Sequence, residues 1–146
     1  MVRPLFFAIF VLTISIIDAK TFKIPDFLLF LGFVTLLICD VYRFSGISQF
    51  PERIVAGCIW LSLFYLVYQY SGGLGFGDVK YAGLIGYFLG LEKSFAAFLC
   101  TALIAAMVYV VGLVLLGWKK TAKLPFAPFL SFGALAAEYL KIGMGK

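Results

Sequence analysis

The sequence predicts an all-α membrane protein in which six transmembrane helices form one polytopic bundle, a single domain over residues 1–146. The first observation is composition: 64% of the residues are apolar and only 13% are charged, against about 25% charged residues in soluble domains. The second is size. A soluble chain of this length leaves about 30% of its surface in water, so its core is too small to bury this many apolar residues. The third is the presence of long uncharged stretches, so lipid is the expected solvent.

Six apolar segments account for the predicted helices. Residues 54–77 and 94–118 are uncharged and exceed the about 20 residues that a spanning helix needs. The other four segments are shorter, and each alone is compatible with a buried or re-entrant segment: residues 4–17, 27–39, 81–91 and 124–137. A helix of about 14 residues covers about 21 Å of a hydrocarbon core of about 30 Å. The polar ends of the short helices are therefore expected slightly inside the membrane.

Prolines, acids and glycines mark the predicted helix boundaries. Pro25 and Asp26 begin the second helix, with Asp26 as the predicted N-cap, and Pro51 and Glu52 begin the third. The glycines within residues 72–77 separate the third helix from the fourth.

The absence of histidine from the sequence excludes several kinds of active site. Zinc-binding His-Glu-x-x-His helices, Ser-His and Cys-His pairs and haem ligation by histidine all require it. Cys39, Cys58 and Cys100 lie far apart in apolar stretches, so we expect small buried hydrophobic residues and no metal site. The basic residues flank apolar runs, so we expect no nucleic-acid partner. An enzyme of this composition takes its acid and base from carboxylates, lysine or tyrosine.

Loop parity predicts that three unusual features share one side of the membrane. With six spanning helices, loops 1, 3 and 5 emerge on the same face, which carries Asp18, Asp78 and the Pro-Phe-Ala-Pro run at residues 125–128. The lysines and arginines divide six against six between the two faces, so the positive-inside rule does not decide the orientation. Four acids on the other side are interpreted as solvated end charges: Asp40, Glu52, Glu92 and Glu138.

Two acids stand out as candidates for chemistry. Asp18 continues an apolar helix about one turn inside the membrane surface, where ionisable groups suggest function. The alternative is an interfacial pair with Lys20 or Lys23. Asp78 follows a glycine-rich segment, residues 72–77, whose bare backbone allows close approach of an extended substrate and positive φ at the turn. A phosphate-binding loop is disfavoured because the Gly-Lys-Ser/Thr ending is missing.

Three ordered motifs resemble the type IV prepilin peptidases, which are membrane aspartyl peptidases of the GxGD kind. The motifs occupy residues 16–25, 75–80 and 124–130. The resemblance implies that Asp18 and Asp78 are a catalytic pair facing the cytoplasm. It also implies substrate-binding or loop-shaping roles for nearby residues, which are Gly75, Gly77 and Lys80. Tyr81 departs from the pattern, because leucine is more usual there.

The resemblance further implies an enzyme of the cytoplasmic (inner) membrane that removes leader peptides from prepilin-like or preflagellin-like proteins, without a metal or cofactor. Larger members carry an N-terminal segment with paired cysteines and also methylate the new N-terminus. We therefore expect a short form that cleaves without methylating. The oligomeric state is not predicted.

Two carboxylates can supply the chemistry of amide hydrolysis, which needs a base for water and an acid for the carbonyl oxygen and the leaving nitrogen. An alternative is a small transporter or proton-relay subunit that uses the same intramembrane acids. A third possibility is a purely structural anchoring subunit, for which recessed acids are needless. The glycine-rich segment followed by Asp-x-Lys favours the peptidase.

Overall fold

The structure is a computed structural model that describes residues 2–42, 49–71, 74–115 and 125–139. Within these ranges the chain forms helices joined by short turns, and it contains no strand. The all-α prediction is therefore confirmed. The described residues form five helices: α1 (Val2–Thr21), α2 (Asp26–Tyr42), α3 (Phe50–Ser71), α4 (Phe76–Leu115) and α5 (Ala127–Tyr139).

Three of these helices are long and apolar enough to cross a membrane: Pro4–Thr21, Phe50–Tyr70 and Phe76–Gly112. The other two, α2 with 17 residues and α5 with 13, fall short of the about 20 residues that span a bilayer. The membrane class is supported, whereas six separate transmembrane helices are not confirmed. Two predicted boundaries differ from the structure. The predicted third segment extends to residue 77, whereas α3 ends at Ser71, and the predicted fourth segment begins at residue 81, whereas α4 begins at Phe76. Residues 116–118 of the predicted fifth helix, the turn after it and residue 124 of the predicted sixth helix lie outside the described residues.

Helix α4 breaks at Gly90, whose φ of 78° and ψ of 178° are not helical. This conformation is essentially restricted to glycine. Before the break, successive contacts run backwards along α3, from Leu61 beside Gly83 to Glu52 beside Gly90. The first half of α4, residues 76–89, is therefore antiparallel to α3.

After Gly90 the contacts with α3 reverse direction. Trp60 donates a hydrogen bond to Ser94 over 2.7 Å, and one turn further along both helices the rings of Phe64 and Phe98 are 5.2 Å apart. The second half of α4, residues 91–115, is therefore parallel to α3. The two halves run in opposite directions and correspond to the predicted fourth and fifth helices.

With α4 counted as two halves, the bundle has six helical stretches among the described residues, and contacts at its two ends give their directions. At one end, Asp18 in the last turn of α1 accepts a hydrogen bond from Ala127 at the start of α5. At the other end, Tyr139 donates a hydrogen bond to the backbone oxygen of Pro4 over 3.1 Å. Consecutive stretches alternate in direction, as loop parity requires. Asp18, Asp78 and the start of α5 consequently share one end, which we call the site end.

The core lies between α1, the first half of α4 and α5. Phe7 and Phe88 stack with their centroids 3.6 Å apart, and Ile14, Ile85 and Leu130 are buried beside them. Large apolar side chains also cover the outside, where Phe27 and Val114 are each 74% exposed. Such a surface suits lipid, in which apolar side chains need no burial in protein.

Lipid surroundings also explain why the cysteine prediction is wrong in part. Cys58 is exposed on α3, and Cys39 and Cys100 are only half-buried. An apolar side chain on a membrane helix is satisfied by lipid as well as by protein, so hydrophobicity alone does not predict burial here.

The prediction that Asp40 is a solvated end charge is wrong. Asp40 is 6% exposed, and its two oxygens accept hydrogen bonds from Arg53 and from the Tyr87 hydroxyl, each over 2.9 Å. Buried charges occur where such partners compensate the lost water. Glu138 is half-buried and pairs with Lys93 over 2.8 Å. Glu52 and Glu92 are exposed, as predicted.

Replacing Gly90 by alanine is expected to lower the free energy of unfolding by about 1–3 kcal/mol, because alanine adopts this backbone conformation only with strain. Thermal unfolding of the detergent-solubilised protein measures the change. Ala102→Gly, at an exposed position of the second half, provides the ordinary alanine–glycine difference of about 1 kcal/mol. In a continuous helix Gly90→Ala would be stabilising, so a gain in stability contradicts the fold-back.

Candidate active site

Asp18 lies in the last turn of α1, where it is 5% exposed. Phe22 ends the helix in the left-handed region, with φ of 52°, and its N–H donates to the Asp18 backbone oxygen over 2.8 Å. The Asp18 side-chain Oδ2 accepts a hydrogen bond from the backbone N–H of Ala127 over 3.2 Å. Ala127 is the first residue of α5, and N–H groups at a helix start have no partner within their own helix. The start of α5 therefore stabilises the Asp18 carboxylate.

Asp78 is the third residue of α4 and caps the start of that helix. Its Oδ2 accepts a hydrogen bond from the Gly75 N–H over 3.1 Å, while its own N–H donates to the Gly75 oxygen over 3.0 Å. The first of these bonds is one half of a capping box, in which an acid at the third helical position accepts the N–H of the N-cap residue; Gly75 has no side chain to form the other half. The other oxygen, Oδ1, is buried and has no hydrogen-bond partner among the described residues. A buried oxygen without a partner often marks a catalytic group or a bound water.

The structure brings Asp18 and Asp78 together, although they are 60 positions apart in the sequence. Both line one cavity of about 380 Å³ at the site end. The rest of its wall comes from the α1–α2 turn and the start of α4: Phe22, Lys23, Ile24, Asp26, Gly75, Phe76 and Gly77. The cavity is large enough for water and a short stretch of polypeptide. No group of three or more His, Cys, Asp and Glu side chains suited to a metal ion occurs within the described ranges.

The glycines beside Asp78 serve close packing at this turn. Neither Gly75 nor Gly77 has a positive φ, so the sequence-based expectation of positive φ is wrong for these two. A Cβ atom on Gly77 would lie 3.0 Å from the Cβ atom of Ile24, so a side chain there would push α4 away from the α1–α2 turn. Gly72 and Gly73 lie outside the described residues.

Lys80 does not line this cavity, but it pairs with Asp26, which does, with 2.8 Å between Nζ and Oδ1. Its ammonium also lies 4.9 Å from the centre of the Phe76 ring. The prediction that Asp26 caps α2 is wrong, because the oxygen of the preceding Pro25 accepts the first helical hydrogen bonds. Asp26 instead joins the start of α2 to the start of α4. No local pattern signals a pair whose members are 54 residues apart.

Sequence reasoning missed two polar residues in the core, which lie about one helical turn farther from the site end than the cavity does. Tyr81 on α4 and Ser131 on α5 are both buried, and their hydroxyl oxygens are 2.7 Å apart. Ser131 also donates to the backbone oxygen of Val11 on α1 over 3.2 Å. A tyrosine or serine within an apolar segment is a weak signal, because both residue types are common in membrane helices without special partners.

An apolar helical bundle with three candidate spans is typical of a membrane protein. A sequence model of the type IV leader peptidase family matches residues 5–111, which include Asp18 and Asp78. The chain therefore belongs to the type IV leader peptidase family, whose members are hydrolases of peptide bonds. The range ends before α5, which supplies the N–H to Asp18.

Two curated relatives are similar to the chain. The prepilin leader peptidase/N-methyltransferase of Bacillus subtilis is 34% identical over an alignment of 100 residues, and the match covers 62% of this chain and 39% of the relative. The protein of the same name from Pectobacterium carotovorum is 34% identical over an alignment of 133 residues, and the match covers 86% of this chain and 47% of the relative. The chain thus spans less than half the length of these relatives. No match to a solved structure is found.

Asp78→Asn is expected to be more stable than Asp78→Ala by about 1 kcal/mol, the usual contribution of a capping side chain. Both variants remove the charge, but asparagine retains an oxygen that accepts the Gly75 N–H. Thermal unfolding in detergent measures the difference. The matched control is Asp26→Asn against Asp26→Ala, at an exposed first-turn acid whose described hydrogen bond is to Lys80. An Asn–Ala difference at position 78 no larger than at position 26 contradicts the capping role.

Proposed function

We propose that the chain is a membrane aspartyl endopeptidase that removes the leader peptide from prepilin-like or preflagellin-like proteins, with Asp18 and Asp78 as its catalytic pair. The observation that carries the proposal is that these two acids, distant in sequence, line one cavity at the site end. Membership of the type IV leader peptidase family supports the peptidase over a transporter or proton-relay subunit. The names of the two curated relatives support a prepilin as the substrate.

In the proposed reaction the pair holds one proton, because ionising both acids would place like charges side by side. The ionised carboxylate takes a proton from water as the water oxygen attacks the scissile carbonyl carbon. The protonated carboxyl gives its proton to the carbonyl oxygen, which forms a tetrahedral diol. One carboxyl then protonates the leaving nitrogen as the carbon–nitrogen bond breaks, and the other accepts a proton from the diol. The products are a leader with a free carboxyl group and a shortened protein with a free amine.

Backbone N–H groups hold both carboxylates for this reaction. Asp18 uses Oδ2 to accept from Ala127, and Asp78 uses Oδ2 to accept from Gly75. These hydrogen bonds fix the rotation of each side chain. Because Oδ1 of Asp78 has no partner among the described residues, it is the oxygen that we assign to the contact with water. Orientation of this kind lowers the barrier, since little reorganisation is needed when charge moves.

The glycine segment provides a wall without side chains for the substrate. Gly75 and Gly77 line the cavity next to Asp78, so an extended polypeptide can approach the backbone there and pair with it as an added strand. Lys80 acts through its pair with Asp26, which lines the cavity. In this proposal all six helical stretches are embedded in the cytoplasmic membrane and the site end faces the cytoplasm. Gly75, Gly77 and Lys80 then act on substrate binding, and the two acids act on bond cleavage.

Asp18→Asn and Asp78→Asn are each expected to slow leader cleavage at least about a hundredfold, because general acid–base catalysis contributes about 10²–10⁴ in rate. The assay incubates purified protein in detergent with a full-length prepilin and follows the loss of a leader-sized fragment by gel mobility and mass spectrometry. Thermal unfolding of each variant confirms that the fold is retained. Glu138→Gln is the matched control, since it neutralises a carboxylate at the opposite end and should leave cleavage unchanged.

Cleavage that survives either aspartate substitution refutes the catalytic assignment. A wild-type protein that leaves prepilin intact, yet moves protons across vesicle membranes in a manner that depends on Asp18 and Asp78, would instead establish the proton-relay alternative.

A further inference from the structure

A buried hydrogen-bond chain joins the three helices that carry and hold the two acids. Ser131 has one hydroxyl hydrogen, which it donates to the backbone oxygen of Val11. The hydrogen bond between Ser131 and Tyr81 must then be donated by the tyrosine, since a serine hydroxyl carries a single hydrogen. Tyr81 and Val11 are fully buried and Ser131 is 2% exposed. The chain Tyr81–Ser131–Val11 therefore connects α4, α5 and α1 without contact with solvent.

Helical spacing places this hydrogen-bond chain one or two turns farther from the site end than the two acids. Tyr81 follows Asp78 by three residues in α4, and Ser131 follows Ala127 by four residues in α5. Val11 precedes Asp18 by seven residues in α1. Residues spaced by three, four or seven lie on the same face of a helix. Each helix thus presents its site residue and, one or two turns deeper, its member of the hydrogen-bond chain on one face.

The two acids are anchored to different helices. Asp78 accepts its hydrogen bond from Gly75 at the start of its own helix, whereas Asp18 accepts its hydrogen bond from α5. The separation of the carboxylates consequently depends on how α4 packs against α1 and α5. The hydrogen bond between Tyr81 and Ser131 ties α4 to α5 one turn below the acids.

We infer that Tyr81 and Ser131 are positioning residues, which set the separation of Asp18 and Asp78 by fixing α4 against α5. This inference rests on the proposed function. A displacement of about 1 Å at a catalytic group can lower a rate about a hundredfold. Loss of the hydrogen bond therefore affects bond cleavage more than substrate binding, because neither residue lines the cavity.

Tyr81→Phe, which removes only the hydroxyl, tests the inference. We expect kcat for prepilin cleavage to fall about tenfold or more, while KM stays within about twofold of the wild-type value. Tyr87→Phe is the matched control, because it makes the same change on the same half of α4 and removes a buried hydrogen bond to Asp40 at the far end. We expect a comparable loss of thermal stability in this control and an unchanged kcat.

Ser131→Ala provides a second route to the same result, with Ser94→Ala as its control, since Ser94 is a buried serine bonded to Trp60. If Tyr81 and Ser131 act through one hydrogen bond, the double variant loses no more kcat than the more impaired single variant. This arm also serves if Tyr81→Phe does not fold.

Several results would overturn the inference. One is a kcat within about twofold of wild type in both Tyr81→Phe and Ser131→Ala. Another is an equal loss of kcat in Tyr81→Phe and Tyr87→Phe, which indicates general loosening of the fold. A rise in KM at constant kcat indicates a role in binding instead. Failure of the proposed function has a different signature, because the wild-type protein would then leave prepilin intact, or Asp18→Asn and Asp78→Asn would retain cleavage.

Discussion

Hydrogen bonds from the starts of two helices to two buried carboxylates are the interactions on which the site depends. A carboxylate in apolar surroundings needs compensating donors, because its lost hydration costs several kcal/mol. The N–H groups at a helix start lack partners within the helix and need acceptors of their own. Ala127 beside Asp18 and Gly75 beside Asp78 satisfy both needs at once. The fold thereby keeps two acids at the margin of an apolar bundle, and neither forms an ion pair with any residue that the structure describes.

At the opposite end of the bundle, the buried acid Asp40 has hydrogen-bond partners for both of its carboxylate oxygens. Both oxygens of Asp40 accept hydrogen bonds from side chains, one from Arg53 and one from Tyr87. This cluster joins α2, α3 and the first half of α4, and its charges are compensated within the protein. Asp78 differs because a single backbone donor leaves one oxygen without a partner among the described residues. The contrast separates an acid whose partners suit structural support from the acid that we propose for proton transfer.

Local sequence patterns predicted where the helices lie better than they predicted which side chains contact one another. The charges of Glu92 and Lys93 separated the fourth and fifth apolar segments, and the structure places the break at Gly90, two residues earlier. The capping prediction for Asp26 failed because Pro25 accepts the first helical hydrogen bonds, and the Asp26 carboxylate binds a lysine 54 residues away. The solvent prediction for Asp40 failed for the same kind of reason. Burial and pairing depend on which helices meet, and no window of neighbouring residues contains that information.

The sequence by itself determined that the chain is a helical membrane protein, that Asp18 and Asp78 are unusual acids and that they share one side of the bundle. Composition, segment length and parity suffice for these conclusions, because they depend only on the solvent and on the alternation of helices. Only the tertiary structure decided which helix starts hold the acids and that Tyr81 and Ser131 bond below them. Those features follow from the rotation and packing of helices about their axes, which the apolar pattern of a lipid-exposed helix leaves open.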